Sequence, residues 1–200
     1  MVRVITITRE YGAGASVISR MLADRLGWRV LDRELSKVVI RAAQGDSRAE
    51  ADPSLDPWLR DLIGKAREHT GGSRTGLAER DLSLRTALME NAVRLGNCVI
   101  VGRGAQCILR GHEEVFHVFL YAPLPLRVER SRHLLGRVHD VEAIVDNHDR
   151  AQADFVRRQF GWDWRNPDLY NLMIDTRHGH RGPAEAIFTA AGFRTASAAD

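Results

Sequence analysis

Residues 9–16, Arg-Glu-Tyr-Gly-Ala-Gly-Ala-Ser, follow the apolar run of residues 2–8. A glycine turn between a strand and a helix can gather backbone N–H groups around a phosphate, because no Cβ obstructs the approach. Set on the phosphate-loop pattern GxxxxGK[ST], Arg9 stands at the first glycine and Gly14 at the second. Ala15 stands at the lysine and Ser16 at the hydroxyl position. Gly12, Ala13, Gly14, Ala15 and Ser16 are therefore the candidate phosphate-binding positions, with Ser16 the candidate Mg²⁺ ligand. A helix starting near Ala15 adds the positive end of its dipole. The alternative is a plain strand-to-helix turn with Ser16 as a cap. Arg9 is placed to supply the cation that the lysine would bring, or to pair structurally with Glu10 or Asp32.

The other cations are almost all arginine, Lys37 and Lys65 being the only lysines. Arginine forks grip phosphate in two places, but a GC-rich genome would also favour arginine, so placement matters more than number. Arg127 and Arg130 are three apart and share a helical face; Arg132 is close by, and Arg150, Arg157 and Arg158 lie on the next helical stretch. On such helices a solvated role competes with a phosphate-gripping one. Asp32 is either a site carboxylate or the cap of the helix that follows. Cys98 and Cys107 lack metal spacing and fit reduced thiols of a cytoplasmic protein. The eight histidines form no HExxH motif, and His178-Gly-His180 reads as a solvated loop.

Strands are expected at 2–8, 28–32, 97–102, 114–121 and 170–175 from their β-branched or continuously apolar character. Helical spacing appears at 14–27, 33–44, 79–96, 124–136, 139–159 and 183–192. Between 45 and 78 the signal fades into polar, breaker-rich sequence, read as a mobile or inserted segment. Alternating strands and helices imply a parallel sheet of α/β class. Ligands bind such sheets at the carboxyl ends of the strands, which brings together residues 8–16, Asp32, Gly102, Arg103 and Tyr121.

The composition is that of an ordinary globular chain, 44% hydrophobic and 28% charged with net charge +3. It contains no repeat, no evident signal peptide and no membrane-spanning run. Nor is there an aromatic-basic platform for nucleic acid. A single domain is expected, as monomer or homodimer.

Five blocks in order, ITITREYGAGASVISRMLADRLG, LDREL, VIVGRGAQCIL, VFLYAPLPLRVER and FGWDWRNPDLYNLMIDT, resemble the cytidylate kinase-like family over most of the chain except about 45–78. The resemblance implies a P-loop kinase fold: a five-stranded parallel sheet of order 2-3-1-4-5 with a helical insert and an arginine-bearing lid. An acceptor-binding insert region at 33–90 and a lid at 127–160 are implied with it. It also implies that members tend to lack the phosphate-loop lysine. This chain departs further, with Ser16 where the family usually carries arginine, and with no aspartate after strand 97–102 to partner a magnesium ion.

By the same resemblance Asp32, Arg33 and Arg103 face the acceptor. Arg9, Arg127, Arg130 and Arg157 stabilise the transferred phosphoryl, and Thr176 and Arg177 lie toward the nucleotide base. Trp162 and Trp164 are read as anchors that pin the lid to the sheet. The function implied is transfer of the ATP γ-phosphoryl, with Mg²⁺, to a small acceptor such as CMP or another nucleoside monophosphate. Two rivals stand beside it: a pseudokinase that binds nucleotide or a partner without turnover, and a kinase for a non-nucleotide small molecule.

Overall fold

The computed structural model describes residues 1–53, 55–68, 77–102, 104–136 and 138–194. In chain order these form β1 (Val4–Arg9), α1 (Ala15–Leu26), β2 (Arg29–Leu31), α2 (Arg33–Ala43), α3 (Ser47–Glu50), α4 (Pro57–Glu68) and α5 (Leu77–Leu95). There follow β3 (Cys98–Val101), α6 (Ala105–Ile108), β4 (Val115–Tyr121), α7 (Leu124–Leu135) and α8 (Val141–Phe160). A 3₁₀ turn (Pro167–Leu169), β5 (Leu172–Asp175) and α9 (Arg181–Ala190) complete the described chain.

The strands form one parallel sheet of order β2-β3-β1-β4-β5. Both the order and the central position of β1 are as expected. Side chains of a strand alternate between faces, and the two cores divide accordingly. Ile5, Ile7, Val99, Val101, Val118 and Leu120 pack against α1 and α9. Val4, Leu31, Cys98 and Ile100 pack against α2, α4, α5 and α6. The continuously apolar β3 is thus buried on both sides, as a strand inside a parallel sheet must be. Two polar residues of β1 are buried with partners. Thr6 Oγ1 lies 2.6 Å from His117 Nδ1, and Thr8 donates to Gln106 Oε1 at 2.9 Å.

The polar stretch after residue 45, where the residue pattern gave no helix, supplies the helical insert that the resemblance implies. Its described residues form α3 and α4, and Leu55, Leu59, Leu62, Ile63 and Ala66 are buried against the α2–α5 side of the sheet. Leu59, Leu62, Ile63 and Ala66 carry helical spacing, hidden among arginines, aspartates and a glycine. Trp164 is buried with Phe119 and Val156, so it anchors the end of α8 to β4; Trp162 packs at the margin of that cluster.

Candidate functional site

β1 runs out of the core at Arg9, and the chain turns through Gly12 and Gly14 into α1. Both glycines have positive φ, 83° and 89°, a region that L side chains avoid. The turn is also tightly packed. A Cβ on Gly12 would lie 2.5 Å from the Arg127 carbonyl oxygen, and one on Gly14 would lie 2.3 Å from His180 Nε2. Among the described residues, the N–H groups of Gly12, Gly14, Ala15 and Ser16 have no protein acceptor. Four such donors at the start of a twelve-residue helix form a polarised cradle for an anion. Ala15, in the lysine position, is buried in the α1–α9 core. Ser16 is exposed, its hydroxyl without a hydrogen bond among the described residues.

Arg9 makes neither of the structural ion pairs considered for it. Glu10 accepts from Arg165 at 2.8 Å and pairs with Arg127 at 3.2 Å, while Asp32 caps α2 by accepting from the Glu34 and Leu35 N–H groups. The Arg9 guanidinium lies against Gly102, at the end of β3, where a Cβ would stand 2.5 Å from Nη1. The sequence has no magnesium-partner aspartate after this strand, and the Arg9 cation lies at the strand's end. Burial, and then the neighbouring Arg33 charge, hold the Arg9 pKa below its ordinary value.

Arg9 and Tyr11 border a cleft of about 760 Å³. Arg33, Lys37 and Arg41 line it from α2, Arg85 from α5, and Asn147, His148, Asp149 and Gln152 from α8. Among the described residues Asp149 is the single carboxylate that lines the cleft. It accepts the Tyr11 N–H at 2.7 Å and Arg127 Nη1 at 2.6 Å. The His148 ring stacks on Tyr11 with centroids 4.3 Å apart. Its pKa is lowered by burial and by Arg33 and Arg9, so it faces the cleft uncharged at neutral pH.

The expected site residues separate into groups. Arg9 and Arg33 line the cleft, while Asp32 serves as a cap at its edge. Arg103 lies outside the described residues. Arg127 is buried and committed to Asp149, Glu10, the Tyr11 carbonyl (3.1 Å) and the Ala122 carbonyl (3.0 Å). Its position is that of a brace behind the phosphate loop. Arg130 donates to the Thr176 hydroxyl at 3.1 Å and carbonyl at 2.7 Å, and that hydroxyl donates to the Ala13 carbonyl at 2.9 Å. Thr176 thus ties the end of β5 to the loop. Arg177 is held by Asp175 at 2.6 Å, and Arg157 is exposed on α8.

Several residues about the site escaped the sequence reading. Lys37 and Arg41 stand four and eight residues after Arg33, a legible face of α2. Tyr11 lies within the loop itself. Asp149 had no local signal, since its partners Arg127 and Tyr11 are 22 and 138 residues away, and His180, read as part of a solvated loop, packs its ring against Gly14 instead.

A family model described as the cytidylate kinase-like family matches residues 4–178. The chain belongs to the cytidylate kinase-like family. No curated protein sequence matches it. Among solved structures, it is similar to an uncharacterized protein from Eubacterium ventriosum ATCC 27560, at 15% identity, 97% of this chain, 100% of that one and a TM-score of 0.71. Shikimate kinase from Acinetobacter baumannii, in complex with shikimate, matches at 19% identity, 94% and 92% coverage and a TM-score of 0.52. A gluconokinase from Sinorhizobium meliloti 1021 matches at 13% identity, 94% and 90% coverage and a TM-score of 0.55. At these identities the likeness is one of fold, and the fold is that of the P-loop kinases. No helix among the described residues is long and apolar enough to cross a membrane.

Proposed function

We propose that this cytidylate kinase-like protein is an ATP-dependent phosphotransferase acting on a small acceptor. The phosphate loop would hold the nucleotide, and the Arg9 cleft would hold the acceptor. The observation that carries the reading is the cradle of four N–H groups that, among the described residues, have no acceptor, on the same turn as a guanidinium that forms no ion pair with a described carboxylate. Phosphoryl transfer needs positioning and charge neutralisation more than covalent chemistry. Backbone donors supply the first, and Arg9 the second in place of the absent lysine. Arg127 and Arg130 contribute by bracing the loop, through Tyr11 and Thr176. Arg157, Arg177 and Asp32 are proposed to act only at the edges of the site, and Arg103, outside the described residues, keeps the acceptor role that the resemblance implies.

The donor set fits a Mg²⁺ brought in by the nucleotide. Ser16 offers one free hydroxyl oxygen, and no group of three or more His, Cys, Asp or Glu gathers among the described residues. The metal, when bound, would supply Lewis-acid neutralisation of phosphate charge, with most of its ligands coming from phosphate and water.

One observation favours the pseudokinase reading: no aspartate follows β3 to partner a magnesium ion, and a cation, Arg9, lies at the end of that strand. The two readings part in one experiment. ADP release with MgATP is measured against CMP, the other nucleoside monophosphates and small hydroxylated metabolites. Acceptor-dependent release is expected. Nucleotide binding without release for any acceptor would leave a nucleotide-binding pseudokinase, and no nucleotide binding at millimolar concentration would make the loop a relic and leave the partner-binding pseudokinase.

A further inference from the structure

The cationic lining of the cleft extends well beyond Arg9. Arg33, Lys37 and Arg41 are spaced four residues apart, so they share one face of α2. At a rise of 1.5 Å per residue the row is about 12 Å long. Arg85 adds a further cation from α5, and among the described residues that line the cleft Asp149, already bonded to Tyr11 and Arg127, is the single carboxylate. Glu34 and Asp46 pair with Lys37 and Arg41 at 2.8 and 2.6 Å. Neither lines the cleft, and such exposed pairs are held by about 0–1 kcal/mol, so an entering anion can exchange with them.

One phosphate group cannot span this row. A phosphate monoester bears about −1.5 to −2 charges in a group a few ångströms wide. Seated beside Arg9 and Arg33, it would leave the far end of α2 unanswered. Ile40, Val101, Ile144 and Phe155 provide apolar wall around the charges, giving the cleft the make-up of a small-molecule site. Resting on the reading of this cleft as the acceptor site, we propose that the acceptor carries at least two separated anionic groups. One would lie beside Arg9 and Arg33 and the other beside Lys37 and Arg41. This is a phosphorylated acid or a bisphosphate, in contrast to a monophosphate with a neutral remainder.

Two matched probes test it by binding alone. Glucose 6-phosphate and 6-phosphogluconate share a six-carbon frame and a phosphate, and only the second adds a carboxylate at the far end. Calorimetric titration of the full chain at about 0.15 M salt, where long-range charge is screened, is expected to give a roughly tenfold or larger preference for 6-phosphogluconate, the size of one charge-assisted contact. The double variant Lys37→Gln/Arg41→Gln should lower that ratio to about one. Both side chains are exposed, and a thermal melt verifies the fold. A parent ratio below about two overturns the inference, as does a ratio that survives the double variant. ATP titration of the same preparation separates the two readings. ATP binding with no preference between the probes sinks only the dianionic acceptor. A preference without ATP binding sinks the kinase reading and leaves a dianion site.

Discussion

The Arg9 guanidinium and Gly102 are in direct contact: a Cβ on Gly102 would stand 2.5 Å from Nη1, at a φ of +77°. Gly102 thereby gives Arg9 its place at the head of the cleft. Arg9→Ala is expected to weaken ATP binding by about 1.5–3 kcal/mol, the worth of a charge-assisted contact. AMP should lose much less, since the charge acts at the outer phosphates. Gly102→Ala is expected to reproduce the ATP-selective loss by displacing the guanidinium. Calorimetry with both nucleotides measures this. Equal losses for ATP and AMP would make Arg9 a structural residue.

Arg127 should act on stability first. It is 6% exposed and stands between Glu10 and Asp149. Removing one partner of a buried pair leaves the others uncompensated, at a cost of about 3–5 kcal/mol. Arg127→Ala should lose stability of that order in denaturant titration, whereas Arg157→Ala, at an exposed position, should change little. A fully stable Arg127→Ala variant with lost phosphate binding would instead return Arg127 to direct contact with the nucleotide.

The sheet was legible because each strand has its own local signature. Val4–Arg9 is β-branched before a glycine turn, and Cys98–Val101 is continuously apolar. Helix α4 was not, since its four buried positions are interleaved with charge and the flanking prolines and glycines dominate the window. At the site, the loop could be located from its glycines, and Arg33 from its place after a short strand. The brace behind the loop could not. Arg127 reads as one of several arginines on a helix, and what distinguishes it is the pair with Asp149, 22 residues on, and the Tyr11 carbonyl, 116 residues back. Sequence spacing on a helix reports a shared face but not what that face meets.

Gly14 offers a different contrast. Its absent Cβ leaves room for the His180 ring, which a Cβ built there would overlap, rather than for phosphate directly. Gly14→Ala would impose both a left-handed conformation, costing an L residue about 1–2 kcal/mol, and a collision with that ring. Adding His180→Ala removes the collision and leaves the backbone strain. A double-mutant cycle on ATP affinity and stability is expected to show favourable coupling of about 0.5–3 kcal/mol. Additive effects would mean that the ring already moves aside freely.

Acidification should weaken the fold through histidines whose pKa values the folded state depresses. Burial holds His117, His148 and His180 below the ordinary value of 6.5, with nearby cations adding to the effect at His148 and His180. In the unfolded chain these rings take up protons as pH falls through about 6.5, whereas in the folded chain they resist until lower pH. The unfolded state therefore binds more protons in that window, so stability falls as pH falls and is fully recovered above it. His117 is the most buried of the three, with Nδ1 2.6 Å from Thr6 Oγ1 and Nε2 buried without a partner among the described residues. Denaturant titrations of the parent at about pH 7.5 and 5.5 bracket this histidine window and should give lower stability at the acid end. His117→Gln, which cannot titrate, should narrow the difference between the two pH values even if it lowers stability at both. A difference of unchanged size in His117→Gln would assign the pH dependence to the two histidines at the site, His148 and His180, and MgATP should then reduce it.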